Sequence, residues 1–140
     1  MDFLRLNEQD IDSLWQLHCR YKAEIGEDAP TEQDKLCLTD AIRKDVIRFY
    51  GCRIGETLAG CCSVTRAFST FSYSDCGSFE DFYILPEYRH RGTARALVQY
   101  AYTESGVASL TVTCADCDRE MYLALGFSLP LGTTLAMTDM

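Results

Sequence analysis

The stretch from Phe79 to Gly106 limits what this chain can fold into more than any other. Phe82-Tyr83-Ile84-Leu85 is a continuous apolar run, as expected of a strand covered on both faces. Pro86 removes a ladder donor where that strand should end. A basic turn follows, Arg89-His90-Arg91, and then Gly92, a residue that lets main chain approach a ligand closely. Ala94, Leu97, Val98 and Ala101 next recur at i, i+3, i+4, i+7, the stripe of an amphipathic helix that ends near Gly106. Strand, turn and helix in this order aim free amide N–H groups and a helix N-terminus at one spot, where an anion is favoured. The helix dipole contributes only about 0.3–2 kcal/mol. Holding a soluble cofactor therefore needs amide hydrogen bonds and the charges of Arg89, Arg91 and Arg95, and a diphosphate satisfies both sets of donors. The plainer alternative is a solvated basic turn before an ordinary helix.

The flanking segments supply the rest of a domain spanning residues 1–140. Asn7 with Glu8, Gln9 and Asp10 offers a cap and first-turn acids, and Ile11, Leu14, Trp15 and His18 recur at helical spacing, predicting a helix to about Lys22. Thr31, with Asp34 three residues on, opens a second helix buried through Leu38, Ala41 and Ile42. Between them Gly26-Glu27-Asp28 forms an acidic loop. Residues 49–54, Gly55-Glu56 and residues 58–65 read as an antiparallel hairpin. Phe68 to Tyr73 extends it, Asp75-Cys76-Gly77 reads as a turn, and the next strand is expected from Ser78. Leu110, Val112 and Cys114 alternate with Thr111 and Thr113 as a strand, a short helix is expected from Asp118 to Leu125, and Thr133 to Thr138 as a last strand. The expected fold is α/β (mixed α+β), one mixed sheet with helices on its faces.

Composition removes several function classes. The net charge of -8 opposes a general attraction to nucleic acid or to an anionic membrane surface. It also makes the Arg89, His90, Arg91 and Arg95 cluster a local exception. The N-terminal residues lack a basic segment followed by an apolar core, and no run is long enough to span a bilayer, so a cytoplasmic protein is expected. In that setting the eight cysteines are reduced thiols, with Cys61, Cys62 and Cys114 acting as small apolar residues. Cys114-Ala115-Asp116-Cys117 is a single pair without the further ligands of a structural zinc site, so no metal is expected.

Arg89-His90-Arg91-Gly92-Thr93-Ala94 resembles the Arg/Gln-x-x-Gly-x-Gly/Ala signature of the GNAT superfamily of N-acetyltransferases. Residues 79–89 look like that family's cofactor strand, and Tyr122-Leu123-Ala124-Leu125-Gly126-Phe127 looks like its later tyrosine, glycine, phenylalanine motif. The resemblance implies acetyl-CoA as cofactor, a mostly antiparallel sheet and strands splayed at the cofactor site. It implies that the main chain of Phe82, Tyr83 and Ile84 pairs with the pantetheine arm, much as an added strand would. His90, Arg91, Gly92, Thr93, Ala94 and Arg95, following Arg89, would cradle the pyrophosphate. Ala94 stands where glycine is more frequent in the family, and residues 115–118 lack the asparagine often found before the last helix.

Transfer to an amine requires a neutral nucleophile. A lysine-like amine, pKa ~10.4, is free base in only about one part in two thousand at pH 7, so deprotonation costs about 4–5 kcal/mol. Glu80 is the first candidate to accept that proton or to anchor a cationic amine, with Asp81 expected on the opposite face of the strand. Glu27 and Asp28 are candidates for the other wall of the acceptor site. By the resemblance, Tyr122 occupies the place of the general acid that protonates the departing thiolate. The expected partner is a small, cationic amine, polyamine-like or aminoglycoside-like, with a homodimer compatible and no nucleic acid or membrane. The competing reading is a CoA-binding sensor without transferase activity.

Overall fold

Two capping boxes fix how the chain enters its first helices. In the computed structural model, which describes residues 1–139, the Asn7 side chain accepts from Gln9 N while Asp10 reaches back to Asn7 N, each at 2.9 Å. A 3-10 turn over Glu8–Asp10 then leads into α1, Ile11–Glu24. Thr31 and Asp34 satisfy each other's amides at 2.8 and 3.1 Å and start α2, Glu32–Arg43. Both devices pair helix-terminal donors that would otherwise be orphaned.

The sheet has five strands in the order β1-β2-β3-β4-β5. They are β1 (Asp2–Leu6), β2 (Arg48–Ile54), β3 (Thr57–Ser69), β4 (Ser74–Ile84) and β5 (Leu110–Thr111). All neighbours are antiparallel except β4 and β5, which run parallel. Helix α3 (Thr93–Ser105) connects β4 to β5, and α4 (Arg119–Ala124) follows β5.

Successive residues of the central strands feed two different cores, because side chains alternate across a strand. Phe49, Cys61 and Tyr83 join Leu14, Leu17 and Ile42 of the first two helices. Their neighbours Tyr50, Cys62 and Ile84 join Leu97, Val98 and Ala101 of α3. This double coverage is why β2, β3 and the end of β4 read as unbroken apolar runs. At the turn entering β2, Asp45 has φ +59 and is held by Arg5, Arg48 and Arg66 of β1, β2 and β3 at 2.8–2.9 Å. The hydrogen bond from Arg48 is the main reason its carboxyl stays well below the ordinary carboxylate range.

Several elements differ from expectation. Residues 2–6 form a strand that the sequence did not announce. β4 begins at Ser74 rather than Ser78, so Asp75-Cys76-Gly77 lies within it and the reversal falls at residues 70–73. Gly77 is there for crowding rather than turning: an added Cβ would lie 2.9 Å from both Leu110 Cδ1 and Val64 Cγ1. β5 is limited to Leu110–Thr111, and Cys114 is exposed whereas Cys61 and Cys62 are buried. Residues 133–138 form no strand.

Candidate active site

The site is built around one extra residue in β4. Ser63 of β3 pairs with Glu80 and Cys61 pairs with Tyr83, so the step between them spans two residues of β3 but three of β4. This is a bulge, which bends its strand and interrupts the ladder. Asp81 sits in it with φ +54, a left-handed conformation that Asp tolerates better than most residues, and its carboxylate accepts from Ser63 Oγ at 2.7 Å. On the other side of β4 the pairing with β5 stops at Ser78–Thr111. Among the described residues, that edge of β4 from Phe79 to Ile84 therefore faces no strand, and the expected splay is present.

Beyond the strand, Pro86–Tyr88 makes a 3-10 turn and the chain passes through His90, φ +62, and Gly92, φ +81, into α3. Gly92 is the N-cap and supplies no side-chain cap; the helix begins its hydrogen bonding with Ala96 N to Gly92 O at 3.2 Å. The main-chain amides from His90 to Arg95 have no main-chain acceptor within the described residues. Open space lies where a Gly92 Cβ would point, and Thr93 Oγ1 is buried without a hydrogen-bond partner. Unpaired amides, a left-handed glycine and a helix N-terminus together fit a diphosphate.

The arginines divide their work. Arg89 donates through Nε to Ile84 O at 2.8 Å and forms an ion pair with Glu24 of α1 at 2.8 Å, its guanidinium 5.4 Å from the Tyr83 ring centre. Its side chain thus ties the end of β4 to α1, and its charge is already matched. Arg91 lies over the Tyr88 ring at 5.6 Å and is exposed, as are His90 and Arg95. The cations facing solvent around the turn are therefore those of Arg91 and Arg95.

Tyr122 of α4 is half-buried, its ring 6.3 Å from Phe82 and 5.8 Å from Phe127. Burial, with the nearby Tyr21 and Asp118, pushes its pKa up to about 12. It keeps its proton across the neutral range and can act as a donor. Glu80 is exposed at the start of the bulge. The bulge cancels the simple alternation that would separate Asp81 from Glu80. Burial raises the Tyr21 pKa, and the charges of Asp81 and Glu80 both add to that rise.

Helix α1 contributes a face not recognised in the sequence. Trp15, His18 and Lys22, with Glu27, Asp28 and Asp34, line a cavity of about 430 Å³ between α1, the acidic loop and α2. Lys22 donates to Glu27 at 3.0 Å. Burial lowers the His18 pKa despite the opposing influence of Asp81, and its Nδ1 is buried without a partner. The Tyr21 ring lies 6.0 Å from that of Tyr83, tilted by 55°, linking this face to β4. The available signal was a helical stripe mixing aromatic and titratable side chains at i, i+3 and i+7, which suits neither a pure core nor a pure solvent face.

A family profile for the acetyltransferase (GNAT) domain matches residues 45–129. Among solved structures, a probable acetyltransferase superposes with a TM-score of 0.86 at 22% identity, covering 100% of both chains. A predicted acetyltransferase with acetyl-CoA from Clostridium acetobutylicum gives 0.78 at 13% identity, covering 98% of this chain and 95% of its own. An aminoglycoside acetyltransferase from an uncultured soil metagenomic sample, in complex with sisomicin, gives 0.78 at 15% identity, covering 99% of this chain and 94% of its own. No curated protein sequence matches.

Proposed function

Because the chain belongs to the GNAT acetyltransferase family and is therefore an acetyl-CoA-dependent acetyltransferase, we propose that it acetylates a primary amine of a small cationic acceptor, polyamine-like or aminoglycoside-like. The observation that carries the proposal is the joining of two surfaces of opposite character at the β4 bulge. On one side are the unpaired β4 edge and the amides of residues 90–95. On the other, Glu80, Asp81, Glu27, Asp28 and Asp34 outnumber the single ammonium of Lys22. That excess of carboxylates favours a cation. The aminoglycoside complex of a relative with this fold is consistent with it.

Acetyl-CoA supplies the acetyl group already activated as a thioester. In this reading the His90–Arg95 amides hold its diphosphate, with Arg91 and Arg95 adding charge. The free edge at Phe82, Tyr83 and Ile84 takes the peptide-like arm by main-chain hydrogen bonds. Of these residues, Ile84 offers chiefly its N–H, since its carbonyl accepts from Arg89. Glu80 faces the acceptor and takes or anchors the ammonium proton. Tyr122, still protonated at neutral pH, delivers a proton to the departing sulfur. Glu27 and Asp28 hold a second positive charge of the acceptor.

No helix among the described residues is long and apolar enough to cross a membrane, and a cytoplasmic setting belongs to the same proposal. The test is CoA release from acetyl-CoA across polyamines, aminoglycosides, amino acids and peptide N-termini. Turnover confined to multiply charged amines supports the proposal, and a preference for neutral amino acids or peptides overturns it.

A further inference from the structure

The hydrogen bonds around Asp45 leave donors over. Its Oδ1 accepts from Arg5 Nη2 at 2.9 Å and Arg48 Nε at 2.8 Å, and its Oδ2 from Arg48 Nη2 at 2.9 Å and Arg66 Nη2 at 2.8 Å. A carboxylate has about four lone-pair sites, so Asp45 is saturated. A guanidinium only donates. Nε and Nη1 of Arg5 and of Arg66, and Nη1 of Arg48, have no protein acceptor among the described residues.

These groups share one face of the sheet. Arg5, Arg48 and Arg66 each lie two residues along their strands from Phe3, Tyr50 and Val64, which pack on the α3 core, so they project from the same side. Three guanidiniums against one carboxylate leave two positive charges unmatched, on a chain whose net charge is -8. A second observation points the same way. Tyr50, paired with Arg5 across the strands, is 1% exposed and its hydroxyl has no partner. That hydroxyl lies toward Arg48, whose pKa is raised first by the Asp45 hydrogen bond and further by Tyr50. Neither a guanidinium nor the saturated Asp45 can take its proton, and a buried donor left unpaired is costly.

We propose that Arg5, Arg48, Arg66 and the Tyr50 hydroxyl form a second anion site, which takes the dianionic phosphate group of a small molecule or free phosphate itself. Two negative charges match the surplus, and the oxygens of a phosphate suit the guanidinium fork. Solvent reaches the arginines, whose side chains are 46%, 17% and 24% exposed. The site is separate from the amides of residues 90–95. Arg66 pairs with Gly77, which precedes Ile84 along β4 by about 20 Å at the rise of a strand. The proposal is therefore independent of the acceptor.

Arginine Nε–Hε NMR of the full chain, saturated with CoA to keep the turn before α3 occupied, tests it. Inorganic phosphate and glycerol 3-phosphate are titrated in parallel, with chloride at matched ionic strength. Saturable shifts of the Arg5, Arg48 and Arg66 signals are expected with phosphate groups and not with chloride. Tighter binding of glycerol 3-phosphate would make the ligand a phosphorylated molecule, and tighter binding of phosphate would make it the free ion. Arg5→Gln with Arg66→Gln removes the surplus and keeps the Asp45–Arg48 pair, so affinity read at Arg48 should fall at least about tenfold with an unchanged circular dichroism spectrum. Tyr50→Phe, which removes one buried oxygen and no charge, should also weaken binding and serves as the test if the double variant does not fold. Absence of saturable shifts in the parent chain, equal shifts with chloride, or undiminished affinity in the folded variants overturns the proposal.

Discussion

The two ends of the site are made of different materials. The proposed cofactor end, from the β4 bulge through Gly92 into α3, is mostly main chain contributed by consecutive residues. The proposed acceptor end is mostly side chain, drawn from α1, the acidic loop and α2, with Glu80 and Asp81 of β4 beside Tyr21. Main-chain donors recognise what any acetyl-CoA presents and depend on backbone conformation. Side chains set charge and size, and can change without disturbing the fold. Damage to the first should therefore appear in acetyl-CoA binding, and damage to the second in acceptor binding.

Tyr122, proposed to protonate the departing sulfur, should give the largest effect. Tyr122→Phe is expected to lower kcat by about 10²–10⁴-fold, the range for a lost general acid, while acetyl-CoA affinity stays unchanged; steady-state kinetics with both substrates varied will read this. With its pKa near 12, activity should also show no loss attributable to this phenol up to about pH 10. Glu80→Gln comes next, with kcat/KM for the amine falling about 10²-fold and the KM for acetyl-CoA held constant. Equal losses toward both substrates would contradict a division between the two ends.

Gly92→Val sharpens the comparison from the cofactor side. A β-branched residue at φ +81 costs about 1–2 kcal/mol, so acetyl-CoA affinity measured by calorimetry should fall about tenfold while the acceptor KM barely moves. Asp28→Asn is expected to do the reverse, raising the KM for a multiply charged amine a few-fold and leaving acetyl-CoA binding intact. His18 offers the smallest effect. Burial lowers its folded pKa below the unfolded value of 6.5, so the unfolded chain binds the proton more readily. Its contribution to stability is full above that pH and declines as pH falls below it. Urea melts of His18→Gln should show a shallower loss between pH 6.5 and 5 than the parent chain.

The same division explains what could be read from the sequence. The stretch from Phe82 to Gly106 was legible because its constraints are local: a doubly covered strand, a proline stop, a left-handed glycine and a helical stripe. The bulge at Asp81 left no such mark, since it arises from the register of β4 against β3. β1 escaped because only Leu6 of its five residues is fully buried. Arg89 read as a phosphate ligand by position, but its pairing with Glu24 lies 65 residues away in sequence. Trp15, His18 and Lys22 became visible as a wall only when α2 and the loop closed the cavity opposite them. Residues 133–138 alternate as a strand would, yet they form none, because alternation alone supplies no pairing partner.

A titration of the isotopically labelled chain with CoA, followed by amide NMR, tests the division most directly. The account predicts that the largest shifts fall on the amides of residues 90–95 and 82–84, with those of residues 26–34 unmoved. Shifts centred on residues 26–34, or a binding event that leaves Gly92 untouched, would contradict it.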